Sequence, residues 1–148
     1  DQGQGFPVLL GHSYLWSADM WNEQIDALSR HFRVIVPELW GHGDSDAPPV
    51  TTRTLADLAR QHIQLLDKLG IERCHLVGLS VGGMWGALLA AEHPERVDRL
   101  VLMDTYLGAE PDVTRRKYFA LLDAASCPSS FIPAARQCQH CVNSFEQH

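Results

Sequence analysis

Four short apolar runs punctuate the chain: Phe6–Leu10, Arg33–Val36 (apolar from Val34), Cys74–Val77 and Leu100–Met103. Uninterrupted runs of this length suit strands buried on both faces, as in a parallel sheet covered by helices. Between them the period changes. Trp21, Ile25, Leu28 and Phe32 recur at helical spacing, and Leu55, Leu58, Ala59, His62, Leu65, Leu66 and Leu69 form a longer apolar stripe. Thr54 with Asp57 three residues on reads as a capping box that starts this second helix, and Gly70 fits its stop. Gly82–Glu92, rich in Ala and Leu and followed by Pro94, predicts a third helix. Strand and helix thus alternate three times and end on a strand. That order predicts an α/β fold with right-handed crossovers and a parallel, doubly wound sheet.

After Asp104 the texture changes. Pro111–Ala125 can form one more helix with Tyr118, Leu121, Leu122 and Ala125 on one face, whereas Ser126–His148 shows no period. We expect a core over residues 1–108, with the start of a lid region and an atypical, irregular tail over 109–148.

Composition narrows the class. With 148 residues and 45% hydrophobic content, the chain can form a single domain and is not disordered. Eighteen acidic against twelve basic residues give a net charge of −6, the opposite of what neutralising nucleic-acid phosphates requires. The longest apolar stretch, Val81–Ala91, is too short for a membrane span of about 20 residues. Four cysteines are too few for a disulfide scaffold, so a reducing cytoplasm is expected. The chain opens on Asp1 rather than Met, which suggests a piece of a longer protein.

The stretch that carries chemistry is Gly78-Leu79-Ser80-Val81-Gly82, directly after a predicted strand and directly before a predicted helix. A serine on so sharp a turn is forced into strained backbone angles that push its hydroxyl out of the sheet. Glycines two residues either side avoid collision with the neighbouring strand and helix. The helix N-terminus behind it presents N–H groups and a positive dipole end to an anion. Ser80 is therefore the candidate nucleophile, a purely structural turn being the alternative.

With this elbow in view, the sequence resembles the α/β-hydrolase family from about Gln4 to Ala125. Three other segments match its pattern: Phe6–Tyr14 with its His12, Pro37–Asp46 with Gly41-His42-Gly43, and His93-Pro94-Glu95-Arg96-Val97 leading into Leu100–Asp104. The nearest resemblance is to the bacterial esterase, enol-lactonase and cofactor-free haloperoxidase branch. It implies a parallel doubly wound sheet of the α/β-hydrolase type with its later strands missing. It also implies an oxyanion hole formed by the backbone N–H groups of Tyr14 and Val81. Two departures stand out: Ser13 replaces the family's usual Gly, and Glu38 its usual Asp. The family's order is Ser, then acid, then His, and the chain stops before the strands that would bear the last two. Asp104, after a strand end, is the one acid here that could join a triad; a structural role is the alternative.

No histidine among His12, His31, His42, His62, His75, His93, His140 and His148 occupies the place of the family's catalytic base. His12 and His42 sit in family loops and read as loop-bracing residues. Cys138-Gln139-His140-Cys141 with Cys127 could supply four zinc ligands, but one Cys pair alone argues for an incidental tail without metal. The resulting expectation is a serine hydrolase of small carboxylic esters or lactones, with no cofactor and with neither nucleic acid nor membrane as partner. Carbon–carbon bond hydrolysis or perhydrolysis on the same serine is the alternative chemistry, and a non-catalytic, truncated hydrolase-like protein the alternative class.

Overall fold

In a computed structural model, which describes residues 1–52, 54–109 and 111–125, the sheet is laid out in both directions from its first strand. That strand, β1 (Pro7–Gly11), pairs with β2 (Arg33–Ile35) on one side and β3 (Cys74–Leu79) on the other, and β4 (Val97–Met103) follows β3. Every pairing is parallel, with Val8 opposite Val34 and His75, and Gly11 opposite Gly78. The spatial order is β2-β1-β3-β4. A short 3₁₀ turn (Ala18–Trp21) and α1 (Asn22–Leu28) connect β1 to β2. Helices α2 (Leu55–Lys68) and α3 (Val81–Glu92) make the next two crossovers, and α4 (Asp112–Ala125) comes after β4.

Side-chain alternation along β1 divides the interior into two layers. Val8 and Leu10 pack with Trp21 and Val34 on the face that receives Ile25 and Leu28 of α1. Leu9 points the other way, into a larger core with Ile35, Leu58, Leu66, Leu76, Trp85 and Leu89. α2 offers one apolar stripe to this core, and α3 is apolar around most of its circumference. The capping box is present: Asp57 N–H donates to the Thr54 hydroxyl, and Thr54 N–H donates back to the Asp57 carboxylate. At the other end Gly70, with φ +66°, donates to Asp67 O and Ile71 donates to Leu66 O, closing a Schellman motif.

The strands are longer than their apolar runs. β4 begins at Val97 rather than Leu100, because a ladder needs backbone groups and tolerates Asp98 and Arg99 where they reach other charges. Asp98 lies 3.1 Å from Arg73. β3 runs on to Leu79, through Gly78, to the foot of the elbow. The tail with Cys127, Cys138, Cys141, His140 and His148 lies outside the described residues.

Two consequences can be measured. His62 is buried and stacked on Trp85, ring centroids 3.7 Å apart, with Nδ1 donating to Leu58 O at 2.7 Å. Burial holds its pKa down at about 4. The unfolded chain therefore binds a proton at His62 between about pH 6.5 and 4 while the native state does not. Its contribution to stability is complete above about pH 6.5 and is lost as pH falls to about 4, roughly 3 kcal/mol in all. Urea midpoints at pH 7 and pH 5 should differ by less in His62→Phe than in the parent; an equal difference would refute the assignment.

The second consequence concerns β4, whose Leu100–Met103 remain exposed, Val101 at 49%. An apolar strand at a sheet edge is a template for pairing with other chains. The 148-residue chain should bind an apolar dye and self-associate, and Val101→Lys should reduce both. Dye-free, monomeric behaviour by light scattering would contradict this.

Candidate active site

The strand order places a topological switch between β1 and β3: from β1 the chain moves to one side, and after β3 to the other. In open α/β sheets the crevice beyond the carboxyl ends of two such strands is where ligands bind. Here those ends are Gly11-His12-Ser13-Tyr14 and Leu79-Ser80-Val81.

Ser80 has φ +52° and ψ −117°, one of two non-glycine residues with positive φ among the described residues. Such a conformation costs about 1–3 kcal/mol and persists only where its surroundings impose it. Three hydrogen bonds do so: Ser80 N–H donates to Met103 O at 3.0 Å, and Gly83 and Met84 N–H donate to Ser80 O. Serine at an N-cap ordinarily accepts from its own helix, but Ser80 makes no side-chain cap bond. Among the described residues its hydroxyl has no partner, so it remains available for chemistry.

The glycines are explained by contact. A Cβ on Gly78 would lie 2.5 Å from Gly83 N, and one on Gly82 would overlap the Gly11 carbonyl. A Cβ on Gly11 would lie 2.6 Å from the Trp85 ring. The start of α3 is thus pressed against the ends of β1 and β3 with no side chain between them. Val81 N–H, first in the helix, has no acceptor among the described residues and sits where the dipole favours an anion.

Tyr14 is half-buried at the end of β1, on a loop braced by the segment that follows β2. His12 donates from Nδ1 to Ser13 O at 2.9 Å, and its Nε2 accepts Leu39 N–H at 2.9 Å. That pattern defines a neutral ring, and burial lowers its pKa in the same sense. The 3.4 Å approach of Glu38 Oε2 to His12 Nε2 is therefore not an ion pair, since that nitrogen carries no proton. The other Glu38 oxygen accepts Ala18 N–H at 2.8 Å, so the longer acid still ties the two loops together. Ser13 adopts no positive φ, which explains why glycine is not required there.

Asp104 follows β4 with φ +44° and is exposed. Among the described residues no histidine approaches its carboxylate, so the fold sets Ser80, Val81 and the Tyr14 loop at the carboxyl ends of two neighbouring strands but completes no triad among those residues. Among the described residues His31, His62, His75 and His93 likewise form no hydrogen bond with Ser80. One residue at the elbow carries no signature in the sequence. Thr105 donates its hydroxyl to Met103 O at 3.0 Å, lies 3.3 Å from Ser80 O and packs against Gly83. No local pattern marks it, because its contacts are all at the elbow. Two clefts of about 370 and 290 Å³ lie elsewhere, one against Phe6 and Arg73, the other between Leu39 and Gln61. Cys74 is a buried free thiol, its pKa pushed up to about 11 by burial, and offers no rival nucleophile.

A parallel sheet with this strained serine at its switch point defines an α/β hydrolase core, and comparison with known proteins agrees. Residues 7–125 match the alpha/beta hydrolase fold family, to which the chain belongs. It is 40% identical over 108 residues to RutD of Yersinia enterocolitica, provisionally named a carbamate hydrolase, covering 70% of this chain and 39% of that protein. It is 34% identical over 128 residues to carboxylesterase YbfK of Bacillus subtilis, covering 84% and 43%. Among solved structures, a thermophilic esterase from Thermogutta terrifontis superposes with a TM-score of 0.80 at 29% identity, covering 99% of this chain and 55% of that one. The chain spans about two fifths to half the length of the curated relatives it matches. No helix among the described residues is long and apolar enough to cross a membrane.

The close approach makes a sharp prediction. Gly82→Ala should cost about 3 kcal/mol or more, because backbone meets backbone and neither can rotate away. Gly70→Ala, where nothing lies within 4 Å of the new Cβ, should cost only the strain of its positive φ, about 1 kcal/mol. Chemical denaturation of the two variants measures the contrast, and equal losses would contradict the steric account.

Proposed function

We propose that this chain carries the nucleophile and the oxyanion site of a serine hydrolase acting on small carboxylic esters or lactones. The observation that carries the reading is the uncapped Ser80 hydroxyl on a positive-φ turn, beside the Val81 N–H at the start of α3, neither of which has a hydrogen-bond partner among the described residues. Ser80 Oγ attacks the substrate carbonyl, and the oxygen that becomes negative is received by the N–H groups of Val81 and Tyr14. The alcohol leaves with a proton, the acyl group stays on Ser80, and water releases it as the acid. The proton passes through a histidine supplied by chain outside the described residues. Asp104 is the proposed acid partner of that histidine, and residues 1–108 form the core that holds the site.

Two features support an ester or lactone as substrate. Leu15 and Trp16, 52% and 62% exposed on the loop that carries Tyr14, offer an apolar rim to an acyl or alkyl group. The matched relatives include proteins named as esterases. Each oxyanion donor is worth roughly 3 kcal/mol in the transition state, so the half-site alone is a substantial part of such a catalyst.

The test uses p-nitrophenyl acetate. The 148-residue chain should hydrolyse it little faster than buffer, whereas a chain extended to the relatives' length should turn over and lose at least about 10³-fold on Ser80→Ala. Activity surviving Ser80→Ala in the extended chain would remove Ser80 from the mechanism. Rapid Ser80-dependent turnover by the short chain would place the base among its own histidines.

A further inference from the structure

Loop 13–16, which carries Tyr14, is held from outside by the segment after β2, and the holding groups are two buried histidines in contact. His12 and His42 are 0% and 2% exposed, and their ring centroids lie 5.2 Å apart. His12 bonds to Ser13 O at 2.9 Å, while His42 Nε2 lies 2.6 Å from Tyr14 O and its Nδ1 3.1 Å from Trp40 O.

These acceptors have a particular meaning for Tyr14. The Ser13 carbonyl and the Tyr14 N–H belong to one rigid peptide plane and point in opposite directions. Holding Ser13 O therefore constrains the direction of the Tyr14 N–H. The Tyr14 carbonyl belongs to the next plane, and the φ and ψ of Tyr14 relate the two. His12 grips the first plane and His42 the second, so the pair removes the freedom by which the Tyr14 N–H could swing away. The His12 ring is fixed in turn by Leu39 N–H on its Nε2, and the His42 ring is buried with its Nδ1 3.1 Å from Trp40 O, both contacts coming from the segment that follows β2.

We infer that His42 is a positioning residue that aims the Tyr14 N–H into the crevice, by donating from Nε2 to the Tyr14 carbonyl. The inference rests on the proposed reading of Tyr14 as an oxyanion donor, and it assigns His42 no contact with substrate. It also gives the Gly41-His42-Gly43 segment a task in the site beyond closing a turn. The edge of the Tyr14 ring, 5.6 Å from the His42 ring, packs on the same strut.

The experiment uses the chain extended to the relatives' length, in which the proposed base is present, with isotopic labels. Nitrogen NMR should find a proton on His42 Nε2; a deprotonated Nε2 would overturn the inference without any variant. His42→Phe keeps the ring volume and removes the donor, whereas His42→Gln retains an amide donor near the Nε2 position. Amide exchange at Tyr14 and Leu15 should accelerate about tenfold in His42→Phe and return close to the parent rate in His42→Gln. Equal behaviour of the two variants, whether both are like the parent or both are loosened, would overturn the inference. A fluorophosphonate probe provides the second readout. Modification of Ser80, read by mass spectrometry, should slow about tenfold or more in His42→Phe and much less in His42→Gln. If the parent Ser80 never reacts while the exchange pattern holds, the nucleophile reading fails and the strut remains.

Discussion

Everything at the crevice depends on how closely the first turn of α3 can approach the ends of β1 and β3. Gly11, Gly78 and Gly82 meet there with backbone against backbone, and a single methyl at Gly78 or Gly82 would overlap its neighbour. Because nothing separates them, the chain must turn from strand to helix within one residue. Ser80 is that residue, and its positive φ is the geometric consequence. The strain is local, whereas the groups that balance it are not: Met103 and Thr105 from the end of β4 grip the Ser80 backbone on both sides. The conformation of Ser80, the proposed nucleophile, is thus set by the packing of the core.

The second feature of the site is a neutral, buried scaffold built from residues that elsewhere carry charge. His12 and His62 both have pKa values lowered by burial, and each donates from Nδ1 to a carbonyl. An imidazole used in this way is a rigid bifunctional strut that connects segments far apart in sequence. His12 joins residues 13 and 39, and His62 stacks flat on Trp85, whose ring in turn lies against Gly11. The path from α2 through Trp85 to the end of β1 is continuous. Rigidity of this kind matters for an oxyanion site, because donors that must reorganise during the reaction forfeit much of their effect.

Much of this architecture was legible in the sequence, because parallel strands buried on both faces and helices with one wet face leave different periods. The capping box at Thr54, the stop at Gly70 and the elbow at Ser80 are all local devices with local signatures, and each stands where its pattern placed it. Strand ends were less legible. Val97–Arg99 belongs to β4 although two of its three residues are charged, since the ladder is satisfied by backbone and Asp98 finds Arg73 across the sheet. Least legible were side chains whose role depends on folding at a distance. Thr105 gives no signal until β4 is set beside the elbow, and the partners of His42 lie both two and twenty-eight residues away. Patterns record what neighbours in sequence do for one another, and these residues serve neighbours in space.

The placement of the two halves of the proposed chemistry follows from the same geometry. Oxyanion donors and a strained nucleophile need atoms fixed within tenths of an ångström, and the crossing of β1, β3 and α3 supplies that fixity from the first three crossovers. A base has a different requirement: it must receive a proton and then return it, so it is better carried on a loop whose position can be adjusted. Asp104, exposed just after β4 with a positive φ, marks where the sheet ends. Up to that residue the backbone is dictated by contacts within the sheet and its covering helices. Beyond it the exposed Tyr106 and Leu107 show that apolar surface continues with no described element to cover it. On the proposed reading, the described core builds the stationary half of the site, and it ends at the open side of β4.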